Sequence, residues 1–221
     1  MLTQRGGFAP IAAISIGLVV VWIASVAVFS TRERAPLEFP VLEEGKSGPL
    51  TAQIPTSWFD EHMSNMRDAG YRFTEMDIEG KGADELRRLF AGKTVVHVEG
   101  GNTFYLLKAV RTSGFEEVVK ELLARGVPYV GTSAGAYIAC PTIEVSTWGP
   151  RKRDNYGVTD LRALNLVPFL IKSHYKDELA DLFREKVRQA SAPVRFLRDG
   201  QGIFVEGDSY RFVGEGEEVK L

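Results

Sequence analysis

Two glycine-rich turns, each set between a strand-like apolar run and a helical stretch, constrain this chain more than any other feature. Residues 94–98 (TVVHV) run into Gly100-Gly101-Asn102, and a helix is expected over 103–112. Residues 127–130 (VPYV) run into Gly131-Thr132-Ser133-Ala134-Gly135, and a helix is expected from 134 to Cys140, where Pro141 ends it. Short apolar runs of this kind suit strands buried on both faces. The alternation extends along the chain. A strand at 71–78 precedes a short amphipathic helix at 83–91, a further helix spans 115–124, 166–171 is strand-like and 176–189 is an amphipathic helix. Short strands follow at 194–197, 202–206 and 210–213, separated by the Asp199-Gly200 and Gly207-Asp208 turns. Strands alternating with helices call for a largely parallel sheet covered on both faces, so the expected class is α/β, a three-layer sandwich. In such sheets reactive groups gather where strand carboxyl ends meet helix N-termini, and both glycine turns sit at that kind of junction.

The start of the chain is different in kind. Residues 8–30 (FAPIAAISIGLVVVWIASVAVFS) are almost wholly apolar, with no charged residue from Gly6 to Thr31. A membrane-spanning helix needs about 20 such residues, whereas a signal-peptide core has about 7–15. The preferred expectation is an uncleaved transmembrane anchor at 1–31, a linker at 32–48 rich in charge, proline and glycine, and a catalytic domain at 49–221. Two rivals remain: a signal peptide cut after Ser25-Val26-Ala27, and a buried first strand and helix of the domain. Arg32, Arg34 and Lys46 follow the segment while Arg5 and the amino terminus precede it, a weak bias placing the domain in the cytoplasm behind a lipid-bilayer anchor. Wholly cytoplasmic or exported forms are the alternatives. Beyond the linker, 50–56 suits a short strand ending at Pro55. Residues 57–69 have helical spacing at Trp58, Phe59, Met63 and Met66 and stop at Gly70.

Composition removes several functions. A formal net charge of −2 leaves no basic footprint for nucleic acid. Cys140 is the only cysteine, so neither an intramolecular disulfide nor a Cys-rich metal site can form. Three histidines, His62, His97 and His174, make a His-based metal centre a poor expectation.

Gly131-Thr132-Ser133-Ala134-Gly135 fits G-x-S-x-G between strand and helix, the context of a nucleophile elbow. A sharp turn forces the central residue into a strained conformation, and small neighbours avoid collisions. The hydroxyl then stands over the helix N-terminus, where the Ala134 N–H can hold an oxyanion. The plainer role for Ser133 is a helix cap. A serine hydroxyl needs a base, and His174 alone of the histidines follows a strand-like segment in a loop. His97 lies inside the apolar run and reads as a core side chain, His62 as a surface one. Cys140 reads as a small buried residue, and Asn102 as a residue that fixes its glycine turn.

Several motifs, in order, resemble the peptidase E (aspartyl dipeptidase) family. They are Ile54-Pro55-Thr56; Glu99 to Leu107 (EGGNTFYLL); Gly131 to Ala136 (GTSAGA); Pro141-Thr142-Ile143-Glu144; Thr159-Asp160-Leu161 with Leu164-Asn165-Leu166-Val167; Ser173-His174-Tyr175; and Asp199 to Ile203 (DGQGI). The resemblance runs from Ile54 to the C-terminus. It implies a glutamine amidotransferase-like (flavodoxin-like) fold and cofactor-free hydrolysis of short peptides beginning with aspartate. By position it implies Ser133 as nucleophile, His174 as base and Asp199 as the acid orienting it, with Glu144 the alternative acid. Oxyanion donors would be backbone N–H groups at Gly100, Gly101 and Ala134. An acidic first residue calls for a cation, and Arg151, Lys152, Arg153, Lys172 and Lys176 are candidates. Three departures stand out: Glu99 replaces the first glycine of a triplet, the family's first strand is not recognisable, and Tyr137 and 151–156 vary at positions that bear on specificity. Besides the dipeptidase, the sequence admits a cyanophycinase-like β-aspartyl peptide hydrolase and a non-catalytic membrane-tethered domain. Monomer and homodimer both stay open.

Overall fold

The computed structural model describes residues 18–22, 38–42, 64, 67–68, 72–149 and 154–221. Its strands are β1 (Leu18–Trp22), β2 (Glu38–Leu42), β3 (Arg72–Met76), β4 (Val96–Val98), β5 (Tyr129–Gly131), β6 (Leu170–Lys172), β7 (Val194–Phe196), β8 (Gly202–Glu206) and β9 (Ser209–Val213). The helices named here are α1 (Ala83–Leu89), α2 (Thr103–Ser113), α3 (Phe115–Ala124), α4 (Ala134–Ala139) and α5 (Ala180–Val187). From β3 onward these fall where the hydrophobic pattern puts them, with ends shifted by a few residues. The first turn expected of α5 is a separate 3-10 turn, Asp177–Leu179.

Seven strands form one sheet in the order β3-β2-β4-β5-β1-β8-β9. From β3 across to β1 the neighbours are parallel, and β8 and β9 add an antiparallel edge. The architecture is the three-layer α/β sandwich expected. Strand β4 is buried at every position, and β5 contributes Tyr129, also fully buried, with its hydroxyl donating to the Gly135 carbonyl at 2.7 Å. Burial pushes that phenol well above its ordinary pKa, so it stays a neutral donor. A second, two-stranded parallel sheet pairs β6 with β7. Phe183 of α5 and Tyr175 pack on Phe196 of β7, ring centres 5.5–6.0 Å apart.

Two elements differ from the sequence expectation. Strand β1 lies inside the apolar stretch assigned to a membrane anchor. It pairs in parallel with β5 (Val20 opposite Val130) and antiparallel with β8 (Val20 opposite Phe204). An apolar run serves a strand at the centre of a sheet as well as a bilayer helix, because both are surrounded by non-polar groups. The first strand that no motif revealed is thus supplied by this run. No helix among the described residues is long and apolar enough to cross a membrane. The rest of 1–31 lies outside the described residues. Strand β2 falls in the stretch read as a linker and pairs with both β3 and β4. The strand expected at 50–56 and most of the helix expected at 57–69 lie outside the described residues; Ser64, Arg67 and Asp68 are helical.

Candidate active site

Strands β4 and β5 are parallel neighbours in a register that sets Val98 opposite Gly131. Each runs into its glycine turn within two residues, so the two turns emerge side by side. The Thr132 N–H donates to the Val98 carbonyl at 3.0 Å, carrying the pairing one residue past the strand. A β-carbon on Gly100 would lie 3.2 Å from Cβ of Ser133 and 3.7 Å from its Oγ, so the first turn is packed directly against the serine side chain.

Ser133 has φ 46° and ψ −104°, outside the regions that L residues favour. Such a conformation costs about 1–3 kcal/mol and survives only where its surroundings fix it. Here two glycines do so. A β-carbon on Gly131 would come within 2.6 Å of the Gly135 carbonyl oxygen, and one on Gly135 within 2.0 Å of that of Val98. Strand, turn and helix close on one another only without those side chains, which is the mechanical reason for G-x-S-x-G.

The second pair of residues arrives by the same device. In the β6–β7 ladder Lys172 is opposite Phe196, and the Tyr175 N–H donates to the Leu197 carbonyl at 2.9 Å. His174 and Asp199 therefore leave neighbouring parallel strands at the same end. Nδ1 of His174 is 2.6 Å from Oδ1 of Asp199, and Nε2 is 3.2 Å from Oγ of Ser133. His174 also has a positive φ, 55°. Ser133, His174 and Asp199 thus form a continuous chain of contacts, with the imidazole in the middle. Hydroxyl, imidazole and carboxylate in that order can move a proton off the hydroxyl and stabilise the resulting imidazolium. Glu144, the alternative acid, is engaged elsewhere: its Oε1 accepts from the N–H and hydroxyl of Ser191, at 3.0 and 3.2 Å.

Asn102 caps α2, its side-chain oxygen accepting from the N–H groups of Phe104 (2.9 Å) and Tyr105 (3.2 Å), and its amide donates to the Asp154 carbonyl at 3.1 Å. Tyr105 and Tyr156 meet edge to face at 5.2 Å beside it. These contacts tie the chain that follows 150–153 to the glycine turn, a link no sequence signal gave. Glu99 is buried, its carboxylate 3.0 Å from Nε2 of the buried His97 and accepting from the Thr132 hydroxyl at 2.8 Å. It also accepts from the Gly100 N–H at 3.3 Å. Of the oxyanion donors implied by resemblance, Gly100 is thus partly occupied by this carboxylate. The Ala134 N–H opens α4 next to Ser133, and Gly101 completes the turn with φ 140°.

His97 is a core residue, as its setting in an apolar strand suggested, and His62 lies outside the described residues. Cys140 is fully buried, and desolvation pushes its thiol up to about 12. Among the cations considered for substrate, Lys172 is committed to the Tyr137 hydroxyl (3.2 Å) and the Ser173 carbonyl (2.9 Å), and Arg151, Lys152 and Arg153 lie outside the described residues. No group of metal-binding side chains occurs among the described residues.

Peptidase E of Streptomyces coelicolor is 33% identical over 162 residues, covering 68% of this chain and 63% of that protein. The probable alpha-aspartyl dipeptidase of Drosophila melanogaster is 30% identical over 171 residues, 71% of this chain and 68% of that one. The chain therefore spans roughly two thirds of the length of these two relatives. A crystal structure of a candidate peptidase E protein from Listeria monocytogenes EGD-e superimposes with a TM-score of 0.76 at 21% identity, covering 91% of this chain and 100% of that one, a likeness of fold. Residues 50–213 match the model of peptidase family S51, and the chain belongs to that family.

Proposed function

We propose that this protein is a serine-type dipeptidase that hydrolyses short peptides with N-terminal aspartate, with Ser133 as nucleophile, His174 as general base and Asp199 as the acid that orients it. The observation that carries this reading is the unbroken contact from Asp199 through His174 to Ser133, at 2.6 and 3.2 Å, built on a strained elbow. The acidic specificity is supported by the likeness to the probable alpha-aspartyl dipeptidase of Drosophila melanogaster.

In the mechanism, Nε2 of His174 accepts the Ser133 proton as Oγ attacks the peptide carbonyl. Asp199 holds Nδ1–H, fixes the tautomer and stabilises the imidazolium. The developing oxyanion is held by backbone N–H groups at Ala134 and Gly101, the Gly100 N–H being engaged by the Glu99 carboxylate. The imidazolium then protonates the departing amine, and water, deprotonated by the same imidazole, releases aspartate from the acyl-enzyme.

Purified protein incubated with a panel of dipeptides should liberate free aspartate from Asp-Xaa and leave neutral Xaa-Xaa intact. Ser133→Ala should lower kcat on the order of 10⁴-fold or more. Absence of turnover across the Asp-Xaa panel, with folded protein, overturns the substrate assignment.

A second proposal concerns the N-terminal segment: it serves the sheet rather than a bilayer. Support comes from β1, pairing on both sides at Leu18–Trp22. That strand leaves apolar stretches at 8–17 and 23–30, ten and eight residues, short of the ~20 needed for a span. Full-length protein should separate from membranes on alkaline carbonate washing; retention in the pellet would restore the anchor.

A further inference from the structure

Ser133 and His174 come from different elements, one opening α4 and the other following β6. Their 3.2 Å contact depends on how those elements are held together. One turn after the nucleophile, the Tyr137 N–H donates to the Ser133 carbonyl at 3.1 Å. The Tyr137 side chain is nearly buried, at 6% exposure, and its hydroxyl accepts from the Ser173 hydroxyl at 2.7 Å. Ser173 is fully buried and is the residue immediately before His174. The ammonium of Lys172 closes the group, donating to the Tyr137 hydroxyl at 3.2 Å and to the Ser173 carbonyl at 2.9 Å. Its position is fixed by the rings of Tyr137 and Phe183, whose centres are 5.6 and 5.5 Å away.

We infer that Tyr137 is a positioning residue: with Ser173 and Lys172 it braces the nucleophile helix against the histidine turn and so sets the Ser133–His174 distance. The inference rests on the catalytic reading of those two residues. Three physical points support it. The brace joins the residue one helical turn beyond the serine to the residue just before the histidine, so little flexible chain separates it from either reacting group. Both Ser133 and His174 have positive φ, 46° and 55°, conformations that need outside support. The buried hydroxyls of Tyr137 and Ser173 resist displacement, because losing either leaves the other without its partner away from water. Lys172 is thereby a structural cation rather than an anchor for the substrate carboxylate.

The test uses a fluorophosphonate probe, whose phosphorus is attacked by an activated serine with loss of fluoride, so that it needs no peptide substrate. Wild-type protein should be labelled at Ser133. Well below their unfolding temperatures, Tyr137→Phe and Ser173→Ala should each be labelled about 10- to 100-fold more slowly, the range expected when a reacting pair shifts by up to about an ångström. The double variant should be no slower than Tyr137→Phe alone, since that change already removes the bond to Ser173. On a turned-over dipeptide, kcat should fall while KM stays within about twofold. Ser173→Ala removes one oxygen atom and carries the test where Tyr137→Phe does not fold. Labelling of both variants at the wild-type rate, with only the melting temperature lowered, overturns the brace and leaves the nucleophile assignment standing. An unlabelled wild type removes both.

Discussion

At the residue scale, the chain concentrates strain and polar contacts on a few side chains. Asp199 and Glu144 are the informative pair, because the sequence admitted either as the acid. Only Asp199 contacts His174, at 2.6 Å. Asp199→Asn should lower kcat by about 10²- to 10⁴-fold, whereas Glu144→Gln should leave it within about twofold and cost at most about 1–2 kcal/mol through the Ser191 contacts. Steady-state kinetics of the two variants decides between them. Cys140 offers a separate check on packing. Its buried thiol, shifted from 9.0 to about 12, should be inert to an aromatic disulfide reagent at pH 8 and react in full once denatured. The unfolded chain loses that proton first, so the thiol's contribution to stability declines as pH rises from 9.0 toward about 12. Reaction of native protein at the rate of a free thiol would contradict the burial.

At the element scale, the strand–turn–helix units were readable because their grammar is local. An apolar run, a glycine pair and an Asn cap followed by helical spacing specify β4, its turn and α2 without reference to the rest of the chain. The elbow was readable for the same reason. Gly135 shows how tightly that unit is built: a β-carbon there would sit 2.0 Å from the Val98 carbonyl oxygen. Gly135→Ala should therefore destabilise the fold by about 3 kcal/mol or more, measured by chemical denaturation, since backbone rather than a movable side chain must yield. A change under about 1 kcal/mol would mean that α4 and β4 are further apart than described. Strand β2 was not readable. Proline breaks the ladder pattern that marks a strand, and Pro40 stands in its middle, flanked by charge and further proline. The ladder with β4 begins only at Val41, whereas Pro40 lies opposite Thr74 in the ladder with β3. The brace through Tyr137 was equally silent, because it joins residues 36 apart in the chain.

At the scale of the whole molecule, the site is a product of two parallel ladders that end together. The β4–β5 register delivers the serine and the glycine turn, and the β6–β7 register delivers the histidine and the carboxylate. Strand β1 joins the parallel half of the large sheet to the β8–β9 edge, so removal of residues 1–36 should leave β5 and β8 without their shared neighbour. The truncated chain should be insoluble or lose its cooperative unfolding transition; a folded, fully active truncation would contradict the central place of β1. Sequence reading offered this strand only as a rival to the anchor, because hydrophobicity reports burial without saying in what, and the length of the run favoured lipid. The claim on which the account turns is that Ser133 and His174 act as one unit. The direct measurement is kcat/KM for an Asp-Xaa dipeptide in wild type, Ser133→Ala, His174→Ala and the double variant. Each single change should cost nearly as much as both together. Independent, multiplying losses, or a His174→Ala enzyme close to wild type, would contradict it.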